Sequence, residues 1–296
     1  MTVPYQRALT YSANVNYKVE EWFLSKKYDG IRCYYDRESD LMLFRSGRII
    51  VRMEHIQNHL RLICDSYNLK AVDGELYVPG LKYREIASLV NGQKKITDEQ
   101  KQSVMLAVFA CRSSNHTFTT PEMINTLEAF PASDHIIIVK YEKIANDFSL
   151  IEQRASEIQA NGWEGVVLRH PIVSYEEGSS RKLVKLVVYH KGVFEIIGFA
   201  EGTGSYSGSL GGLLIQGFGL NEDFTEKPVK SRVSSGLKRS ERNEIWENRD
   251  KYLGIAVNVD YQKVQDSKLD TDGFGSLRFP KYKGVMKECN LIRFSK

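Results

Sequence analysis

The chain lacks what would make it a membrane protein, a disulfide scaffold or a fibre. No stretch of its 296 residues approaches the roughly 18 consecutive apolar positions that a bilayer span needs. Residues 1–17 are polar and hold no apolar core, so no secretory leader is expected. The cysteines are four, Cys33, Cys64, Cys111 and Cys289, and no two form a Cys-x-x-Cys pair. That argues against a zinc site and a disulfide framework, and scattered thiols fit the reducing cytoplasm. With 22 glycines and 7 prolines the composition is ordinary globular. No repeat or low-complexity segment interrupts it. Neither charge dominates: 41 Lys and Arg against 37 Asp and Glu leave +4, which permits a nucleic-acid partner without demanding one.

What is present suggests two domains, since 296 residues are many for one core. Residues 22–36 and 41–51 read as paired strands around an Asp/Glu/Ser turn. Residues 52–68 read as an amphipathic helix with Ile56, Leu60, Ile63 and Tyr67 on one face. Strands are expected at 71–78, 104–111, 136–141, 165–169 and 183–189, and helices at 83–90 and 150–161. Thr120 and Pro121 have the chemistry of an N-cap and first helical residue for a helix reaching 130. From about His190 the pattern changes to strands, some separated by glycine-rich turns, at 194–199, 213–218, 229–234, 255–261 and 276–279, with one helix over 241–252. Such a set suggests a small β-barrel of the OB type, a fold that commonly binds nucleic acid. The expected class is α+β, with antiparallel sheets and helices over 1–189 and an OB-fold barrel over 190–296.

The chemistry-bearing pattern begins at Lys27-Tyr28-Asp29-Gly30-Ile31-Arg32. Asp-Gly is a good turn pair, so Lys-x-Asp-Gly alone also reads as a surface turn. Behind it, in order, come Arg45-Ser46-Gly47, Asp73-Gly74-Glu75-Leu76, Phe109 in an apolar run, Glu164-Gly165-Val166-Val167-Leu168-Arg169, and Leu183-Val184-Lys185. This series resembles the covalent nucleotidyltransferase superfamily of DNA ligases, RNA ligases and mRNA capping enzymes. The nearest likeness is to the minimal ATP-dependent DNA ligases of the Chlorella-virus type. It extends over nearly the whole chain, because Ser234-Ser235-Gly236-Leu237, Glu244-Ile245-Trp246-Glu247-Asn248, Tyr252-Leu253-Gly254 and Leu277-Arg278-Phe279-Pro280-Lys281-Tyr282 look like the OB domain of those small ligases.

The resemblance implies that the first domain is an adenylation (nucleotidyltransferase) domain. Lys27 would attack the α-phosphorus of ATP and carry AMP to the 5′-phosphate of a nick, where the 3′-hydroxyl displaces it. A free lysine is almost wholly protonated at neutral pH, so its amine needs desolvation or nearby cations, for which Arg32, Arg45 and Lys185 are candidates. Arg32 and Arg45 would contact the nucleotide and later the nick phosphate through their donor forks. Glu75 would contact the ribose or a metal-bound water, Phe109 would stack on adenine, and Lys185 would touch the α-phosphate. Glu164 would ligate a divalent cation, Mg²⁺ or Mn²⁺. Each also has a plain reading: Arg45 as a surface cation, Glu75 as a strand-end carboxylate, Phe109 as core. The implied partner is nicked double-stranded DNA, with no membrane, for a monomer in the cytoplasm or a viral host's cytoplasm.

Two positions depart from the family's pattern. Its last motif has two lysines two residues apart on one strand face, whereas here Lys185 is followed by Leu186 and Val187. Lys182 has the wrong strand parity to replace the second one, and Lys191 lies further along. An arginine often found just after the preceding glycine is also absent from Gly178-Ser179-Ser180-Arg181, where Arg181 is the candidate substitute. In the second domain, residues 227–239 hold Lys227, Lys230, Arg232, Lys238 and Arg239, and residues 278–287 hold Arg278, Lys281, Lys283 and Lys287, with no acid in either window. Such stretches could track phosphates or be a solvated face. Residues 202–212 are too few for the long DNA-closing loop of the Chlorella-virus type, so the expected grip is by the barrel alone. His55 and His59, one helical turn apart, have zinc-compatible spacing but no third ligand evident in sequence. An RNA ligase or capping-type enzyme, and a nick-binding protein weakened at Val187, are the alternatives. The NAD⁺-using branch is disfavoured, since its extra N-terminal domain and zinc-type cysteines have no counterpart here.

Overall fold

A computed structural model of the chain describes residues 3–81, 83–91, 96–221, 225–266 and 273–286. Lys287 and Cys289 lie outside them. The chain forms two compact units, Met1–Val187 and Val188–Lys296.

The first unit contains β1 (Gln6–Thr10), β2 (Glu21–Lys27), β3 (Ile31–Asp36), β4 (Leu41–Phe44), β5 (Leu69–Tyr77), β6 (Met105–Ser113), β7 (Ile136–Ile138), β8 (Tyr141–Ala145), β9 (Gly165–Arg169) and β10 (Gly178–Leu186). They make two five-stranded sheets, ordered β1-β10-β9-β2-β8 and β4-β3-β5-β6-β7. Neighbours are antiparallel except β1 with β10 and β6 with β7. The second sheet carries the main apolar core. α1 (Glu54–Tyr67) lays Ile56, Leu60, Ile63 and Cys64 into it and ends at Asn68, whose N–H still donates to Cys64 O and whose left-handed backbone (φ 51°) turns the chain out of the helix. α2 (Tyr83–Asn91), α3 (Asp98–Gln102) and α4 (Thr120–Glu128) follow. α5 (Phe148–Ala160) buries Ile151, Ala155 and Ile158 and packs on β8 and β9.

One expected strand, 22–36, is two. β2 belongs to the first sheet and β3 to the second, and the crossing occurs at residues 28–30. Gly30 explains it: a Cβ there would lie 2.1 Å from Leu76 O, so the chain passes β5 too closely for any side chain. The expected 136–141 strand divides likewise into β7 and the start of β8. The last expected strand, 183–189, begins earlier and stops at Leu186. The cap of α4 is Thr119, not Thr120; its hydroxyl accepts from Glu122 N while Glu122 reaches back to Thr119 N, a capping box. Neither β1 nor α3 has a periodicity that announces it.

The second unit contains β11 (His190–Glu201), β12 (Leu210–Leu220), β13 (Glu226–Val233), α6 (Arg239–Glu247), α7 (Arg249–Tyr252), β14 (Ala256–Tyr261), β15 (Val264–Asp266), β16 (Gly275–Leu277) and β17 (Lys281–Val285). β11, β12 and β13 form an antiparallel meander, β14 returns to β11, and β17 pairs with β14. A parallel bridge between Ser235 and Lys281 joins β17 to the chain leaving β13, with Tyr282 N donating to Ser235 O at 2.9 Å. The strands thus close in the order 11-12-13-17-14-11, a small Greek-key barrel with helices before its fourth strand. Inside it Phe194, Ile196, Leu213, Ile215, Val233, Val257 and Val259 are fully or almost fully buried. The expected strand at 276–279 forms as β16, which pairs with β15 and β13, and β17, which the sequence did not announce, closes the barrel. The expected helix over 241–252 breaks at Asn248 into α6 and α7.

Candidate active site

The first sheet sets out a row of side chains by register alone. Lys27 pairs with Gly165 across β2 and β9, and Ser25 pairs with Val167, which pairs with Lys185 on β10. Directly opposed residues face the same side, as do residues two apart, so Ser25, Lys27 and Lys185 share one face. From the second sheet come Arg32 on β3, Glu75 on β5 and Phe109 on β6; Arg45 follows β4. Six of the seven expected residues, Lys27, Arg32, Arg45, Glu75, Phe109 and Lys185, line one pocket of about 480 Å³. That is within the usual range for a small-molecule site. Its wall also carries Arg7, Lys26 and Arg169, against the carboxylate of Glu75. Such an excess of cations suits a polyanion.

Glu164 reaches this centre through an ion pair: its Oε2 accepts from Lys27 Nζ at 2.5 Å, and both side chains are largely shielded. Gly165, the next residue, lies close against the end of β10. A Cβ there would meet Leu186 O at 2.5 Å and Val187 Cγ2 at 3.0 Å, and its φ of 154° disfavours any other residue. Val187 therefore lies against the Gly165 position, in the row that ends at Lys27. Burial pushes the Glu75 carboxyl up to about 7; Lys27 and Arg32 oppose the rise and Glu164 adds to it. Two carboxylates around one lysine, one of them hard to ionise, are an oxygen donor set that fits a divalent cation.

Arg32 is held from beneath. Its Nε and Nη2 donate to Asp73 Oδ1 and Oδ2 at 2.5 and 2.6 Å, and Nη2 also donates to Gln6 O at 3.1 Å. Asp73 is 1% exposed. Tyr175 donates to its Oδ2 at 2.5 Å and accepts from Gln6 N at 3.1 Å, closing the network. Burial alone would lower the Arg32 guanidinium, but the charge and hydrogen bonds of Asp73 raise it. Arg32 also lies over Phe109, its Cζ 4.5 Å from the ring centroid. Tyr5, Gln6 and Tyr175 are site-builders that the motifs do not contain. Gln6 and Tyr175 are distant in sequence from Arg32, and only the parallel pairing of β1 with β10 brings Gln6 in. Arg169, buried and donating to Gln6 Oε1 at 2.8 Å and to Ser174 O, had a readable signal: a cation ending an apolar strand.

Other expectations resolve simply. Lys182 pairs with Glu176 at 3.6 Å and, like the exposed Arg181, is not part of the pocket wall. His55 Nε2 and His59 Nδ1 donate to backbone carbonyls, Val104 O and His55 O, and His135 packs edge-on to both rings. Among the described residues no group of three His, Cys, Asp or Glu is arranged to hold a metal.

In the second unit, Lys230, Arg232, Lys238, Arg239 and Lys281 are exposed. On β13, Val229 and Val233 point inward and Lys230 and Arg232 outward, as strand parity requires. Lys283 is neutralised by Asp260 of the neighbouring strand at 3.1 Å, so a window without acids in sequence is not without acids in space. Phe279 is 56% exposed with φ 50°, a strained backbone for a large side chain.

Residues 7–186 match the family model described as "ATP dependent DNA ligase domain". The chain is 24% identical over 237 residues to a DNA ligase of Haemophilus influenzae, covering 74% of this chain and 81% of that one. Among solved structures it resembles Pmar-Lig_PreS3, with a TM-score of 0.76 and 21% identity over 95% of this chain and 67% of that one. It also resembles Chlorella virus DNA ligase-adenylate, with a TM-score of 0.51 and 18% identity over 98% and 100% of the two chains.

Proposed function

The chain belongs to the ATP-dependent DNA ligase family, and from that premise we propose that it seals 5′-phosphate/3′-hydroxyl nicks in double-stranded DNA through AMP carried on Lys27. The observation that carries this reading is Lys27 Nζ, at the pocket wall, hydrogen-bonded to Glu164 at 2.5 Å and surrounded by cations on both sheets.

Three displacements follow. The Lys27 amine attacks the α-phosphorus of ATP; a P–N bond forms, pyrophosphate leaves, and the amine's proton has Glu164 Oε2 as its nearest acceptor. A 5′-phosphate oxygen of the nick then attacks the same phosphorus and Lys27 leaves. Finally the 3′-hydroxyl attacks the 5′-phosphorus, closing the phosphodiester as AMP departs. Lys185 and Arg32 face the phosphate oxygens on which charge accumulates, and Phe109 offers its ring to adenine. Glu164 and Glu75 would hold the divalent cation, which supplies positive charge to the transferring phosphate when bound. We take the first unit as the adenylation domain. The outward cations of the barrel serve as its sequence-independent grip on the DNA backbone.

Intact mass after incubation with ATP and Mg²⁺ tests this. The protein gains the mass of one AMP and Lys27→Ala gains none; labelling that survives the substitution overturns the assignment. Nicked DNA and nicked RNA offered to the adenylylated protein separate the DNA ligase reading from an RNA ligase.

Val187 favours a second reading, a nick-binding protein with slow chemistry. Without a lysine there, one donor to the phosphate is missing, a loss of about a hundredfold or more in rate where such donors have been removed.

A further inference from the structure

Tyr5 stands outside every motif that carries the ligase likeness, yet three guanidinium groups gather on its ring. The Cζ atoms of Arg7, Arg32 and Arg45 lie 5.4, 5.7 and 5.8 Å from the ring centroid. Arg45 Nε donates to the phenol oxygen at 3.0 Å. All four residues line the same pocket. Of the three arginines, Arg32 alone has a carboxylate partner among the described residues, Asp73. Arg7 and Arg45 are exposed at the rim.

Like charges drawn together repel, and the face of one phenol attracts cations only weakly. The cluster has the form of a site waiting for an anion. Two unpaired guanidinium groups match a terminal phosphate, which carries about −1.5 to −2 near pH 7, better than a phosphodiester link. Their forked donors also suit its several free oxygens. Since the Tyr5 oxygen accepts from Arg45, its own O–H proton is available to a further oxygen.

We propose that Tyr5 and Arg7, together with Arg45, form a subsite for a terminal phosphate dianion. Arg7 lies on β1 and Tyr5 immediately precedes it, which ties the segment before the motif lysine to substrate recognition. Two groups in the reaction have this chemistry, the 5′-phosphate of the nick and the γ-phosphate of ATP. The open position of Arg7 and Arg45 at the rim favours the nick, whose end arrives on a polymer. The inference rests on the DNA ligase reading above.

The test measures binding of nicked duplexes ending in 5′-phosphate or 5′-hydroxyl, without ATP and at fixed salt, and the KM for ATP in adenylylation. The unsubstituted protein prefers the 5′-phosphate nick. Arg7→Ala lowers that preference about tenfold and Tyr5→Phe, which keeps the ring, about threefold, while Arg7→Lys retains part of it. A raised KM for ATP with unchanged nick preference keeps the subsite but gives it to the γ-phosphate. Equal weakening on both nicks, or no change in either measurement, overturns the proposal. If the unsubstituted protein neither takes up AMP nor prefers the 5′-phosphate, the ligase reading has failed; if it does both and Arg7→Ala matches it, this inference alone has failed. Melting temperatures confirm that each variant is folded.

Discussion

The first unit draws some of its charged groups inward and pairs them. Arg32 and Asp73 form a two-pronged contact beneath the pocket, and Lys27 meets Glu164 at the wall. The barrel does the reverse. Its interior is apolar, and Lys230, Arg232, Lys238 and Arg239 stand outside. The difference teaches what each unit can contribute. A charge fixed by partners in a shielded site has a defined direction, and losing it changes one chemical step. A charge on the surface acts through its field, is screened by salt, and is nearly interchangeable with its neighbours.

The sharpest way to test the fixed side of this comparison is to add the missing donor. Val187→Lys would place an ammonium across Gly165 from Lys27. It is expected to raise the single-turnover rate of adenylylation by about a hundredfold. An unchanged rate would mean that another cation in the wall already serves.

The next largest effect is on stability. Asp73→Asn leaves Arg32 without its partner and Tyr175 without a charged acceptor, and should cost about 3 kcal/mol in urea unfolding. A loss below 1 kcal/mol would show that the pair is not held as tightly as its geometry implies.

Glu75 gives a pH signature. A carboxyl raised to about 7 from 4.5 contributes stability that is full below 4.5 and lost as pH rises through about 7. The melting temperature of Glu75→Gln should therefore gain on the parent protein across that window and level off above it. With Glu75 acting as its carboxylate, as proposed above, adenylylation by the parent should fall as pH drops below 7. A constant difference in melting temperature would contradict the shift.

The smallest effects belong to the barrel. Lys230→Ala or Arg232→Ala should leave stability within about 0.5 kcal/mol. Each should reduce the slope of log affinity for DNA against log salt by about 0.9, with a few-fold loss of affinity. A single substitution that abolished binding would make the barrel surface as specific as the pocket and erase the contrast.

Much of the site is legible in sequence because the chemistry needs particular residues in a fixed order. Lys27, Arg32, Arg45, Glu75, Phe109 and Lys185 can be named from their motifs, and the fold gathers them in one pocket. The glycines of those motifs, Gly30 and Gly165, have equally local causes, since a backbone approaches too closely for a side chain. Tyr5, Gln6 and Tyr175 were not legible. Their roles depend on a parallel strand pairing and on a contact between Asp73 and a residue 102 positions later. The same limit appears in the barrel, where Lys283 looks unpaired until Asp260 comes alongside it.

The sequence by itself determined the α+β class, the helix of Ile56, Leu60 and Ile63, the outward cations of β13 and the choice of Lys27 as the residue proposed to attack. Periodicity and motif chemistry act over a few residues, and those features need no more. Tertiary structure alone decided that β2 and β3 part into different sheets, that β17 closes the barrel, and that three arginines share Tyr5. Each of these is a pairing between distant segments, and its free energy exists only once the sheets have formed.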